Sequence, residues 1–275
     1  MRYSLESFPP KTTDGREALR RTLSGRAFQG AEFVSVTCGA GGDGSRDTEL
    51  VVNDVIVHGL AVMPHITCAE NKDDTTSRLT ACPSFGVLCL RGDAPNHAEG
   101  FASVLDLLSA VRNKTSKQAV CAGYPEPHPD SFGVDQDLIW MRKKQDAGAT
   151  AVITQYAFDV ESILTYRDAL HKTAPGLAIR PGILPVRDLA GLLRFSARCG
   201  ARVPPEVVNR LSRHAAGSES FHEESLAITA ELLDRLKSEG VLNVHIYALN
   251  DDSILSDLLI RGHLTASSNR AMLAA

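Results

Sequence analysis

Short apolar runs alternate along the chain with longer stretches in which apolar residues recur every three or four positions. The short runs predict eight strands, at residues 3–8, 33–37, 61–67, 86–90, 119–122, 151–154, 177–183 and 243–247. The longer stretches predict helices between them, for example at residues 98–112 and 225–237, the second ending at Gly240. Strands that alternate with helices predict an α/β fold, a (β/α)8 TIM barrel, with a doubly wound open sheet as the alternative.

No linker or low-complexity segment divides the chain. The loosest stretch, residues 198–220, contains Pro204-Pro205, and we interpret it as an extra helix and loop between strands seven and eight. A length of 275 residues suits one barrel. We therefore expect a single domain over residues 1–275.

Composition excludes several classes of function. The net charge is −4 and no Lys/Arg-rich run occurs, which argues against nucleic acid as a partner. No apolar stretch approaches the roughly 18 residues of a membrane span, and the first strand leaves no room for a signal peptide. The six cysteines form no CxxC pair, which favours reduced thiols in a cytoplasmic protein over a disulfide framework or a zinc site.

Polar residues of types that take part in catalysis and ligand binding follow the predicted strands and do not precede them. Parallel strands of a barrel place their carboxyl ends on one face, where barrel active sites lie. We expect seven side chains to converge there: Glu6, His65, Arg91, Asp93, Tyr124, His128 and Gln155.

Glu6 is the most informative of these residues. It lies between Leu5 and Phe8, and Pro9-Pro10 prevents the strand from continuing. A carboxyl group against apolar neighbours can have a raised pKa and serve as a general acid. The alternative for Glu6 is an exposed carboxylate at a strand edge. The alternative for Arg91 and Asp93 is an ion pair with a purely structural role.

Other motif matches give weaker indications of function. Residues 39–44 fit G-x-G-x-x-G, but the next strand ends in Pro-His-Ile-Thr instead of the acidic residue of a dinucleotide fold, so we interpret them as a rim loop. No nucleophile elbow, zinc-protease motif or P-loop lysine motif occurs. The remaining histidines lack metal-ligand spacing, and His245 in strand eight is interpreted as a buried core residue with satisfied hydrogen bonds.

The strand-end motifs together resemble the methylenetetrahydrofolate reductase family in its short bacterial form, without a regulatory domain. The matching stretches keep the family's order and cover nearly the whole chain: residues 6–12, 34–37, 64–68, 90–93, 122–126, 128–129, 144–149, 153–155, 158–159, 181–185 and 247–250.

The resemblance implies a homo-oligomeric flavoprotein that binds small molecules. NADH or NADPH would reduce bound FAD, leave, and be replaced by 5,10-methylenetetrahydrofolate, which would be reduced to 5-methyltetrahydrofolate. Glu6 matches the general acid, and Asp93 the catalytic aspartate near flavin and folate. The substrate-binding positions are Glu6, Gln155 and Tyr247. The FAD-binding positions are Thr37, His65, Arg91, Gly92, Asp93, Ala102, Tyr124, His128, Asp137 and Lys144.

Four positions depart from the family pattern. Asp251 replaces an arginine that can meet the folate tail, and Trp140 replaces a smaller polar residue in the FAD-binding helix. Leu211 stands where an aromatic residue of the nicotinamide and folate site is expected, and Cys38 replaces a tyrosine. These departures keep two alternatives open. One is a divergent member that uses another one-carbon carrier or electron donor, and the other is a flavin- or folate-binding subunit of a larger complex.

Overall fold

Eight parallel strands form a closed barrel in which each strand pairs with its neighbours in chain order and β8 pairs with β1. The computed structural model describes residues 1–38, 45–92, 99–127, 131 and 133–267. The strands are β1 Arg2–Ser7, β2 Val34–Val36, β3 Val62–Thr67, β4 Gly86–Leu90, β5 Gln118–Gly123, β6 Ala151–Tyr156, β7 Ala178–Ile183 and β8 Asn243–Tyr247. The predicted TIM barrel is confirmed, and the open sheet is excluded.

Ten of the described helices lie between successive strands, and an eleventh follows β8. They are α1 Thr13–Leu23, α2 Arg26–Gln29, α3 Ser45–Val57, α4 Lys72–Ala81, α5 Val104–Lys114, α6 Val134–Asp146, α7 Val160–Thr173, α8 Leu189–Cys199, α9 Pro205–Leu211, α10 Glu219–Ser238 and α11 Ser253–Ile260. Between β7 and β8 the chain forms three helices, and α9 is the extra helix predicted within residues 198–220.

Capping residues set two helix starts that apolar periodicity misplaced. The predicted helix 98–112 begins instead at Val104, because the Ser103 hydroxyl accepts a hydrogen bond from the Asp106 N–H. Phe101 precedes this helix but is still buried. The predicted helix 225–237 begins earlier, because Ser218 caps it. Gly240 follows its end with φ +82°, as expected of a terminating glycine.

The barrel interior is built in layers by the alternation of side chains along the strands. Apolar side chains from β3 to β6, together with the residue just before β2, form one layer: Phe33, Met63, Leu88, Val120 and Ile153. Each of these is followed two residues later by the next inward position, nearer the carboxyl end of its strand. The sequence therefore closes the barrel with this layer and places three polar residues, Ser35, His65 and Gln155, at the next inward positions.

A small polar cluster lies inside the barrel beneath that mouth. His245 is fully buried, with Nδ1 2.8 Å from the Ser4 hydroxyl and Nε2 3.4 Å from the Ser35 hydroxyl. Burial lowers the pKa of His245, so the ring is neutral. The interpretation of His245 as a satisfied core histidine is confirmed.

Candidate active site

Glu6 lies at the carboxyl end of β1, beside Ser35 of β2 and Tyr247 of β8 in the strand register. Its Oε2 is 3.7 Å from Nε2 of His65, which β3 presents to the same interior. His65 is 5% exposed, whereas 19% of the Glu6 side chain stays accessible at the mouth. Two of the predicted site residues are therefore adjacent, and the carboxyl group is reachable from one side.

Burial makes this pair neutral. It raises the pKa of Glu6 to about 8 and lowers the pKa of His65 to about 3, in both cases because the charged form loses its hydration. At neutral pH the carboxyl group therefore keeps its proton and the imidazole carries none. Glu6 can act as an acid there, and His65 does not compete with it for a proton.

Tyr247, Tyr124 and Gln155 line the mouth near Glu6. The Tyr247 hydroxyl donates to the Thr154 carbonyl at 2.8 Å, and burial, with smaller effects of Glu6 and Tyr124, raises the pKa of Tyr247. Oε1 of Gln155, at the end of β6, accepts from the Tyr156 N–H at 3.0 Å, which fixes the orientation of the amide. The structure brings Glu6 and His65 within 3.7 Å of each other, and the convergence of Arg91 with them stays a prediction.

Asn250 is a site feature that the sequence did not single out. Its Oδ1 accepts from the Ser7 hydroxyl at 2.7 Å and from the Phe8 N–H at 3.1 Å, and its Nδ2 donates to the Phe8 carbonyl at 2.8 Å. Leu249 and Asn250 have φ of +51° and +57°, uncommon for residues other than glycine. The loop after β8 thus fixes the chain immediately after Glu6. The only sequence signal was an asparagine placed where a tight turn follows a strand.

The other predicted cofactor positions lie around the same rim. Lys144 donates its ammonium proton to the Ala122 carbonyl at 2.8 Å, at the end of β5. Gly92, after β4, has φ +85°, and a Cβ there would lie 3.1 Å from Thr67 Cβ. Thr37 follows β2, Arg91 is exposed after β4, Ala102 precedes α5, Tyr124 follows β5 and Asp137 is in the first turn of α6. Asp93 and His128 lie outside the described residues.

These residues fit a cofactor with hydrogen-bonding and anionic groups. Nε2 of His65 is buried and has no hydrogen-bond partner among the residues that the structure describes. An unpaired buried nitrogen is costly, and a ligand group at the mouth would satisfy it. Lys144 and Arg91 are cations suited to a diphosphate. The set could hold a dinucleotide cofactor.

The four departures have different structural consequences. The Asp251 carboxylate lies 3.1 Å from Arg187, which follows β7, so a cation remains beside the position that lost one. Leu211 is completely buried in the packing around α9, and its match to the aromatic position of the family stays a prediction. Trp140 is exposed on α6.

Cys38 belongs to a buried polar cluster behind the rim. Its thiol donates to Oε1 of Glu70 at 3.4 Å, and burial raises its pKa. The Thr67 N–H donates to the same oxygen at 3.0 Å, and Arg78 forms an ion pair with Oε2. The thiol therefore serves as a hydrogen-bond donor to Glu70 and is not activated as a nucleophile.

Removing the cation from this cluster should destabilise the fold. Arg78→Leu leaves the carboxylate of Glu70, whose side chain is 7% exposed, without its counter-charge, and we expect a loss of about 3 kcal/mol in the free energy of unfolding. Urea denaturation followed by circular dichroism measures it. The double variant Glu70→Gln/Arg78→Leu is the control and should recover most of the loss. A double variant as unstable as the single one would show that lost packing is the cause.

A barrel with a protonated carboxyl group and cationic rim positions at its mouth is typical of an enzyme that acts on a small anionic substrate. A family model described as methylenetetrahydrofolate reductase matches residues 1–261. The chain belongs to the methylenetetrahydrofolate reductase family.

Individual relatives agree with this assignment. The chain is 32% identical over 257 residues to the 5,10-methylenetetrahydrofolate reductase of Escherichia coli, covering 90% of this chain and 86% of that protein. It is 30% identical to methylenetetrahydrofolate reductase (NADH) 1 of Arabidopsis thaliana, covering 94% of this chain and 48% of that protein. The chain thus spans about half the length of the plant relatives that it matches.

A solved structure supports the fold. An uncharacterized Clostridium thermocellum protein, described as binding two copies of 5-methyl-5,6,7,8-tetrahydrofolic acid, matches with a TM-score of 0.68 over 94% of this chain and 93% of its own. At 12% identity the likeness concerns the barrel alone. Within the described part of the chain, no helix combines the length and apolar content needed to cross a membrane.

Proposed function

We propose that this protein reduces 5,10-methylenetetrahydrofolate to 5-methyltetrahydrofolate with NADH or NADPH as donor, and that Glu6 is the general acid. The observation that carries the proposal is the neutral pair of Glu6 and His65 at the barrel mouth, with the pKa of Glu6 raised to about 8. Family membership supplies the reaction class, and the pair supplies a group able to perform its proton-dependent step.

The protein's own residues have three tasks in this reaction. The five-membered ring of the folate must open before its methylene carbon can accept hydride, and opening requires a proton on the leaving nitrogen. Glu6 holds that proton at neutral pH and is exposed only toward the mouth. Asn250 fixes the backbone on which Glu6 is carried, and Gln155 and Tyr247 line the wall that would orient the pterin.

We also propose that FAD is the cofactor. Bound FAD would supply the hydride chemistry between the nicotinamide donor and the folate. His65 offers an unsatisfied buried nitrogen, Gly92 offers backbone without a Cβ, and Lys144 and Arg91 offer positive charge. We propose that Asp93 and His128 join this set, on the strength of the motif match alone.

The two half-reactions test the proposal. Under anaerobic conditions, NADH should bleach the yellow FAD-loaded protein, and 5,10-methylenetetrahydrofolate should restore the colour. NADH is tested first because the plant relatives are named for it. The restoring step needs protonated Glu6, so its rate should be constant below about pH 8 and fall about tenfold per unit above it. Stopped-flow absorbance across pH measures both steps. A protein that takes up no FAD, or whose colour the folate does not restore, would contradict the proposal.

A further inference from the structure

Trp140 is an exposed aromatic side chain on the helix that carries two of the proposed cofactor positions. It lies three residues after Asp137 and four before Lys144 on α6, so the three side chains follow one another along one face of the helix. Lys144 donates to the Ala122 carbonyl, which turns this face toward the carboxyl end of β5. Trp140 therefore stands beside the rim.

The surroundings of Trp140 suit a nucleotide base. Its side chain is 38% exposed, although a tryptophan is usually largely buried. The ammonium group of Lys143 lies 4.7 Å from the centroid of the indole ring. An aromatic platform with an adjacent cation is the combination that holds bases and their phosphates, since any base can stack on an indole while the cation meets the backbone charge.

We propose that the indole of Trp140 stacks on the adenine of FAD. This inference rests on the proposed function, because it requires FAD as the cofactor. The reacting ring must reach Glu6 and His65 inside the mouth, and Lys144 at the rim suits the diphosphate. The adenosine end, which is the farthest from the reacting ring, is then left to the exposed part of α6, where Trp140 and Lys143 lie.

The affinity of the apoprotein for two probes, FAD and FMN, tests the stacking. By calorimetry, Trp140→Ala should weaken FAD about tenfold or more and leave FMN, which has no adenine, unchanged. Trp140→Phe should keep most of the FAD affinity. Ile139→Ala removes another exposed apolar side chain from the same helix and should change nothing. Equal losses for FMN and FAD would overturn the proposal, as would unchanged FAD binding in Trp140→Ala.

The fluorescence of Trp140 gives a second readout that does not depend on activity. It is the sole tryptophan of the chain, so all indole emission reports on this site. ADP should quench the emission by contact, and since it carries no flavin, energy transfer cannot be the cause. Unchanged emission at saturating ADP would overturn the stacking. Weaker binding of NADH but not of FAD in Trp140→Ala would also overturn it, by assigning the adenine site to the donor. If the wild-type protein bound ADP but no FAD, the proposal of FAD as the cofactor would be contradicted, and the site at Trp140 would be a site for another adenine nucleotide.

Discussion

Glu6→Gln should abolish folate reduction while leaving reduction of the cofactor by NADH intact. The amide has nearly the same size as the carboxyl group but has no acidic proton to give to the folate nitrogen. Loss of a general acid slows its step by roughly 10²–10⁴-fold. Hydride transfer from NADH needs no such proton, so flavin bleaching should stay within a small factor of the wild-type rate. Single-turnover stopped-flow absorbance measures each step separately.

The comparison of the two steps decides what Glu6 does. If Glu6→Gln slowed both steps equally while FAD remained bound, the side chain would be organising the pocket and the acid role would be refuted. Glu17→Gln makes the same chemical change at an exposed position on α1 and should affect neither step. The pH profile adds an independent criterion, because the fall in rate above about pH 8 should vanish in Glu6→Gln.

The barrel could be predicted from sequence because its signal repeats eight times. Each strand is a short apolar run bounded by turn residues, and an error of one or two residues at a boundary, as at Phe8, does not change the order of the elements. Helix starts were less predictable. Periodicity extends wherever apolar residues happen to fall, whereas the start is set by a single side chain such as Ser103 or Ser218.

The burial of Leu211 could not be predicted from the sequence. The segment after β7 is rich in leucine, and nothing in its spacing distinguishes a leucine at the rim from one inside a helix cluster. The fold buries Leu211 completely and starts α8 at Leu189. Asn250 was missed for a related reason, since its three hydrogen bonds reach across 242–243 residues to the loop after β1.

Sequence reasoning predicted that Glu6 and His65 converge but not that both are uncharged. The strand-end rule places two side chains at one mouth, and it applies equally to a charged pair. The neutral state follows from the burial of both side chains, which removes the hydration of their charged forms. The packing that buries Glu6 thus determines its protonation state at neutral pH.

The same burial of Glu6 should lower the free energy of unfolding. An ordinary glutamate has a pKa of 4.5, and burial raises that of Glu6 to about 8. Below pH 4.5 the group is protonated in both folded and unfolded protein and nothing is lost. Between 4.5 and 8 the unfolded chain releases the proton while the folded state retains it, so stability falls as pH rises, and above about 8 the loss is constant. The accumulated cost above pH 8 is on the order of 5 kcal/mol.

Glu6→Gln should therefore be stabilising in a pH-dependent way. A neutral amide pays no such penalty, so the variant should gain about 3 kcal/mol over the wild type between pH 5 and pH 8, a relative rise in Tm of roughly 6–12 °C. Thermal denaturation of the apoprotein at both pH values measures the gain, with Glu17→Gln as the exposed control. A difference that stays constant with pH would mean that Glu6 is ionised in the folded protein at neutral pH. If the stability difference between Glu6→Gln and the wild type rises with pH, and the variant has lost folate reduction, then Glu6 destabilises the fold but is required for the reaction.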